Sequence, residues 1–485
     1  MAVKHLEIER KYDAEADFTV PELMGLPGVS SISGPRTHQL AATYFDTDDL
    51  RLARRGITLR RRRGGEDAGW HLKIPAGPDS KNELRAPLGR TQVVPARLAS
   101  LIAAHTRGAP VKPVAQLDTV RSVVLLLDAA GQVLAEVADD AVSGRPEGGA
   151  ELAWREIEVE LAGGGGDLLE AAGERIVKAG ARKGASSSKV LRVLGVAPER
   201  RPEPDGKTAG AAVTGYLADQ VDAVLRFDPK ARLAEHDAVH QMRVATRRLR
   251  SALQSYRAVI DREHTDPLRV ELKWLADALG EVRDLEVLRM RFTDRLEEIG
   301  ETGEHTWLDA LRTQEAAAYR RLNVTLKEPR YFALLDALDA LVAAPPLTER
   351  AGRKAAKELP LLVTKQWKRL DRAYKEIGKA DDPDIARHET RKSAKRARYA
   401  ADLAVPVLGK PAKQVSRNAK KVQEVLGGYQ DGVIADEHLK AAAEKADDTH
   451  EAFVLGVLYG LEQCEAKSTL ATLEETWKGL SKPSF

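Results

Sequence analysis

The sequence predicts an α+β domain built on an antiparallel sheet, followed by an all-α domain with internal two-fold repetition. Three observations predict it. Up to about Val196, short runs alternate between apolar and charged residues, the period-two signature of strands. Beyond "APERRPEPDGKTAG", long helical patterns rich in Ala, Leu, Arg, Lys and Glu run to the end. Within that second half a basic motif recurs with every offset preserved. The expected organisation is a first domain over 1–197, a linker over 198–209 and a helical domain over 210–485.

Taken in order, the strand candidates are "KHLEIERKYD", "GITLRRRR", "GWHLKIP", "NELRAPL", "TVRSVVLLLD", "VLAEVADDAV" and "ELAWREIEVEL". Turn chemistry separates them at "RRGGEDAG", "PAGPDS", "DAAGQ" and "SGRPEGGAE", and short turns imply antiparallel neighbours. Two helical stretches interrupt the strands, over 94–104 and 168–179.

Composition narrows the class. Charged residues make up 31% of the 485 residues and aromatics 5%, and Lys+Arg (76) nearly balances Asp+Glu (73), so local clustering matters more than the net charge of +3. Cys464 is the single cysteine, which excludes an intramolecular disulfide and suggests the cytoplasm. The opening "MAVKHLEIERKYDAE" has no apolar core of a signal peptide, and no run of apolar residues is long enough to span a membrane, so no membrane association is expected.

Strand parity then exposes a pattern. Glu7, Glu9 and Lys11 share one face; so do Arg60 and Arg62; so do Lys81, Glu83 and Arg85; so do Glu136 and Asp140; so do Glu156, Glu158 and Glu160. Lys73 lies opposite Trp70, Leu72 and Ile74, and Arg121 interrupts an otherwise apolar strand. For any one strand, a charged face in water is the ordinary explanation. The set argues otherwise: the acidic strands stand at both ends, the basic ones between them, and there are enough strands to close a barrel. A barrel with its charged face inward must hold something that satisfies both signs. A polyanion with divalent cations does so, Arg and Lys taking phosphate oxygens and carboxylates taking a hard metal.

"EIERK" resembles the Glu-x-Glu-x-Lys signature of the CYTH family, the triphosphate tunnel metalloenzymes, and the resemblance continues through "YFDT", "TLRRRR", "WHLKIP", "WREIEVEL" and "SSSKVLR". It implies an eight-stranded antiparallel barrel forming a tunnel that acts on triphosphate-bearing substrates with Mg2+ or Mn2+. It implies metal ligands at Glu7, Glu9, Asp140, Glu156 and Glu158, and phosphate contacts from Lys11, Arg60, Arg62, Lys73, Arg85, Arg121 and Lys189. Whether Asp139 or Asp140 points inward depends on register. Where relatives often carry Arg-x-Glu, this chain has Lys81-Asn82-Glu83, a point charge in place of a planar fork. His5, His38 and His71 have no metal-ligand spacing and are read as ordinary surface or barrel residues.

In the second half, "HQMRVATRRLR" aligns with "HETRKSAKRAR", and "LGEVRD" ending at Asp284 aligns with "LGGYQD" ending at Asp431. On helices, His240, Arg243, Arg247 and Arg250 form one stripe and His388, Arg391, Lys395 and Arg398 its counterpart, with further basic stripes at Lys413, Arg417 and Lys420 and at Lys365, Lys368, Arg372 and Lys375. Acidic residues are nearly absent from the stripes, which favours an anion site over a solvated face. Few aromatics are interleaved, which makes a nucleic-acid ligand unlikely. "VHQMRVATRRLRSAL" resembles the CHAD family, which implies a pair of four-helix bundles around a basic groove that binds inorganic polyphosphate. His240 and His388 either sense pH or hydrogen-bond within the fold. The expected function is metal-dependent hydrolysis of inorganic triphosphate or polyphosphate, with adenylate cyclase or thiamine triphosphatase chemistry, or a non-enzymatic polyphosphate scaffold, as alternatives.

Overall fold

A computed structural model describes residues 3–77, 79–199 and 206–485. The chain divides into two compact units, Met1–Arg201 and Pro202–Phe485. The division falls within the expected linker, of which 200–205 lie outside the described residues.

The first unit runs β1 (Val3–Ala14), β2 (Ser31–Ile32), β3 (Arg36–Asp46), β4 (Thr58–Arg63), β5 (Gly69–Gly77), β6 (Ser80–Pro87), α1 (Ala96–Thr106), β7 (Lys112–Leu127), β8 (Val133–Pro146), β9 (Leu152–Leu161), α2 (Gly166–Lys178), β10 (Arg182–Lys183) and α3 (Lys189–Leu194). Strand order is β1-β6-β5-β4-β3-β7-β8-β9, every pairing is antiparallel, and β9 pairs with β1, so the sheet closes as an eight-stranded barrel. Closure brings the two acidic strands side by side: Glu9 stands opposite Glu160 and Lys11 opposite Glu158.

Parity decides which side chains go where. The apolar face turns outward: Tyr12, Val137, Ile157 and Val159 form one core with Leu168, Leu169, Ala172 and Ile176 of α2. Trp70 and Phe45 pack on each other at 4.9 Å between ring centres. Each aliphatic side chain so buried contributes roughly 2 kcal/mol, and this outer shell is what holds a charged interior in place. The short helix α3 packs on β7 and β8, where its Val190 and Val193 join Tyr44, Val114, Leu117 and Val142 in an apolar cluster. The "YFDT" stretch has a structural role: the Asp46 carboxylate accepts hydrogen bonds from the backbone N–H of Thr47 (2.7 Å), Leu52 (2.9 Å) and Ala53 (2.8 Å), fixing the β3–β4 connection. The strand β3 and the short helix α3 have no counterpart among the expected elements, and the two expected helices are shifted by about two residues to α1 and α2.

The second unit is all-helical: α4 (Ala209–Arg232), α5 (Ala238–Ser255), α6 (Arg262–Glu298), α7 (Thr306–Thr325), α8 (Pro329–Ala343), α9 (Ala355–Glu376), α10 (Pro383–Leu408), α11 (Lys410–Ala443), α12 (Thr449–Ala471) and α13 (Leu473–Lys478). Successive helices pack on one another within α4–α7 and within α9–α12, as expected for a pseudo-two-fold pair of four-helix bundles. The halves meet where α5 contacts α10, and again where Leu288, Phe292 and Trp307 of α6–α7 share a core with Leu439, Val454 and Leu458 of α11–α12. Among the described residues, no helix is long and apolar enough to cross a membrane.

Candidate active site and anion-binding groove

The barrel encloses a cavity of about 420 Å³ lined mostly by charged side chains, among them Glu7, Glu9, Lys11, Arg60, Arg62, Lys73, Arg85, Arg121, Glu158 and Lys189. The single-strand picture of a charged face in water is therefore overturned: Glu7, Glu9, Asp140, Glu156 and Glu158 are all buried. Register settles the aspartate pair. Asp140 points inward and is fully buried, while Asp139 turns outward to Arg155 (2.9 and 2.7 Å).

The carboxylates fall into groups. Asp140, Glu156 and Glu158 bring carboxylate oxygens within 4.8 Å of one another. Lys189, delivered by the first residue of α3, sets its ammonium 2.8, 2.7 and 2.6 Å from Asp140, Glu156 and Glu158. Arg121 closes the other side as a fork on Asp140 (2.8 and 2.6 Å) and also contacts Glu158. Burial alone raises the Glu158 carboxyl, but Lys11, Lys189 and Arg121 outweigh it and hold it well below the usual range. Glu7 and Glu9 lie outside this trio. Glu9 is joined to it through Lys11, which contacts both Glu9 (2.9 Å) and Glu158, and Glu9 also takes Lys81 at 2.8 Å; Glu7 takes Lys73. Lys81, whose place was open, thus belongs to the lining. Glu160, not among the expected site residues, is pushed up to about 7 by burial and by Glu7, against the pull of Lys73. It crowds the same wall.

This donor set fits a hard divalent cation. It is all carboxylate oxygen, it is buried, and Glu7 Oε2 is a buried oxygen with no hydrogen-bond donor among the described residues.

The opposite wall is basic. Arg60 donates to the Tyr44 hydroxyl at 3.3 Å, and its Nε is buried without an acceptor among the described residues, as is the Nε of Arg62. Burial, then Arg60 and Arg121, bring the Arg62 guanidinium down to about 9. Arg62 contacts Asp67, and Arg85 pairs with Glu83 at 2.5 Å. Of the two places expected for His71, surface or barrel, the structure puts it in the barrel. It is buried in the inner wall, with Nδ1 2.8 Å from Glu83 and Nε2 2.9 Å from the Asp67 carbonyl. Tyr44 escaped sequence reasoning, while Glu160 was placed on the charged face with Glu156 and Glu158 but not given a site role.

In the helical unit the aligned motifs occupy equivalent places. Arg243 of α5 lies against Gly280 of α6 and pairs with Asp284 at 3.3 Å; Arg391 of α10 lies against Gly427 of α11 and pairs with Asp431 at 3.4 Å. The glycines seat the guanidinium groups: a Cβ would stand 3.4 Å from Arg243 Nη2 and 3.5 Å from Arg391 Nη2. The stripes are thus less free of acid than the sequence suggests, because the acids come from the neighbouring helix. His388 Nδ1 lies 3.4 Å from Gln430, and His240 faces Arg283, the residue aligned with Gln430. Arg247 and Lys395 join Arg243 and Arg391 at the α5–α10 contact. Arg250 and Arg398 continue the stripes, Arg398 toward Gln423 (3.2 Å). Lys413, Arg417 and Lys420 are exposed on α11, with Lys420 3.2 Å from Glu424; among the described residues, no ion pair joins them to the stripes.

The CYTH domain family matches residues 5–193 and the CHAD domain family matches residues 215–440. The "Uncharacterized protein Rv2226" of Mycobacterium tuberculosis is 37% identical across 99% of this chain and 97% of its own length. Among solved structures, the CHAD domain from the plant Ricinus communis is 25% identical with a TM-score of 0.47, covering 59% of this chain and 99% of that one. The structure "Putative adenylyl cyclase HpAC1 from Hippeastrum", described as revealing a dominant triphosphatase activity, is 14% identical with a TM-score of 0.25, covering 41% of this chain and 97% of that one.

Proposed function

The chain belongs to the CYTH family through its first unit and to the CHAD family through its second, and on that premise we propose that the tunnel hydrolyses inorganic triphosphate or a related polyphosphate while the helical groove binds inorganic polyphosphate. The observation that carries the reading is a barrel interior with opposed charged walls: the buried Nε donors of Arg60 and Arg62, without acceptors among the described residues, stand across the barrel from a compact carboxylate cluster. An anion is what the first wall lacks, and a polyphosphate supplies it. Mg2+ or Mn2+, held by Asp140, Glu156 and Glu158 with Glu7 and Glu9 beside them, would relieve charge on the phosphoryl group under attack. Arg60, Arg62, Lys73, Arg85 and Arg121 bind and orient the phosphates, and Lys11 and Lys189 balance the carboxylates. Burial of these charged groups in the barrel makes interactions among them stronger than in solvent. No nucleophilic side chain is needed, since water attacks in line. The reading places the protein in the cytoplasm, where the exposed thiol of Cys464 stays reduced.

The test is a phosphate-release panel with Mg2+ and Mn2+ on triphosphate, long-chain polyphosphate, ATP and thiamine triphosphate. Triphosphate or polyphosphate is expected to lead, and Glu9→Gln and Glu158→Gln to lower release on the order of 100-fold or more. Undiminished release in both variants refutes the metal role. Tight binding without release leaves a tunnel that only holds its ligand.

A further inference from the structure

Four cations converge where α5 meets α10. Lys395 of α10 is flanked by Arg391, one turn earlier on its own helix, and faces Arg243 and Arg247 of α5. The carboxylates nearby are already engaged. Asp431 of α11, which faces Lys395, pairs with Arg391, and Asp284 of α6 pairs with Arg243. Further along the seam, His240 of α5 faces Arg283 of α6, Asp237 and the same two arginines of its own helix. Positive charge is therefore in excess in a half-buried place. A guanidinium does not give up its proton in a protein, whereas an ammonium does. The aligned stripes read His, Arg, Arg, Arg over 240–250 and His, Arg, Lys, Arg over 388–398, so Lys395 is the one ammonium in the set, standing where the repeat places Arg247.

Resting on the reading that this groove holds inorganic polyphosphate, we infer that capturing the chain takes up one proton from solution at Lys395. The free amine accepts a proton to become an ammonium as the phosphates arrive, and no other bond changes. Burial first, and then Arg247, Arg391 and Arg243, bring the Lys395 ammonium down to about 6, so the free protein carries a neutral amine there at pH 7.5. A polyanion along the stripes cancels the repulsion that expelled the proton. His240 is also held below its ordinary value, by burial and then by Arg283, and is the competing acceptor that the test must separate.

The full chain is titrated with long-chain inorganic polyphosphate by calorimetry at pH 7.5, in two buffers of different protonation enthalpy. Long chains are used because their internal phosphates do not titrate near neutrality. Wild type is expected to take up close to one proton, with affinity falling about tenfold per pH unit between pH 7 and 8.5. Lys395→Arg should bind without the uptake and with a flattened pH slope; His240→Asn should keep both. Uptake that survives in Lys395→Arg, uptake lost in His240→Asn, or wild-type binding with no uptake overturns the proton assignment and leaves the polyphosphate reading standing. No binding by wild type overturns both. Amine acylation followed by peptide mapping reads the same group without a variant. Labelling of Lys395 should have a pH midpoint near 6 and be blocked by polyphosphate, and a midpoint in the ordinary lysine range overturns the proposal.

Discussion

His71 occupies a place on the inner wall where most neighbours are permanently charged, and it stays neutral there. Burial, with Arg60 and Arg62 nearby, holds its imidazole down to about 4 despite the hydrogen bond to Glu83. The unfolded chain therefore binds a proton that the folded one refuses between about pH 6.5 and 4, and stability falls as pH falls through that window. The loss attributable to this residue reaches about 2.5 kcal/mol by pH 4.5. Thermal unfolding of wild type and His71→Asn from pH 7 to 4.5 checks it: wild type should lose more stability over the range, and parallel losses would deny the role. At this scale the sequence exposed what parity and charge reveal together. Glu7, Glu9, Glu156 and Glu158 could be read as inward because alternate residues are apolar. Asp139 and Asp140 could not be separated, since the choice depends on pairing with β7 and β9. Tyr44 carries no formal charge, so its position beside Arg60 left no mark in the alternation.

Among elements, those with one charged face were legible and those without were not. β3 sends His38, Leu40, Ala42 and Tyr44 inward, with Gln39 and Ala41 on its other face, and no binary alternation results. α3 is six residues long, too short to show a helical period, yet it delivers Lys189 and joins an apolar cluster with β3, β7 and β8. The pairing of β1 with β9 joins segments more than a hundred residues apart and has no local signal. In the helical unit the recurrence of "LGEVRD" as "LGGYQD" was visible before its purpose was: the glycine seats an arginine of the preceding helix and the aspartate pairs with it. Gly280→Leu should displace Arg243, lower polyphosphate affinity about tenfold and reduce its dependence on salt by roughly one counterion. It should leave helicity unchanged or slightly raised, because Gly is a poor helix former. Binding isotherms at several salt concentrations, with circular dichroism as the folding control, read both effects; unchanged affinity would mean that Arg243 does not need its seat.

For the whole molecule, the proposed function predicts a division of labour between the two units. Removing 210–485 should slow turnover of long-chain polyphosphate several-fold more than turnover of triphosphate, because a tethered binding site raises the local concentration of chain at the tunnel. Steady-state rates on both substrates decide it, and equal losses would reject tethering. The duplication of the helical unit carries a further consequence. A strand of nucleic acid has a direction, and a site built to follow it must be asymmetric. A row of identical phosphates reads the same from either end. Arg243 on Gly280 with Asp284, and Arg391 on Gly427 with Asp431, form a lining that is nearly a palindrome. Such a lining is indifferent to which way its polymer is laid, and it suits a ligand that has no direction to recognise.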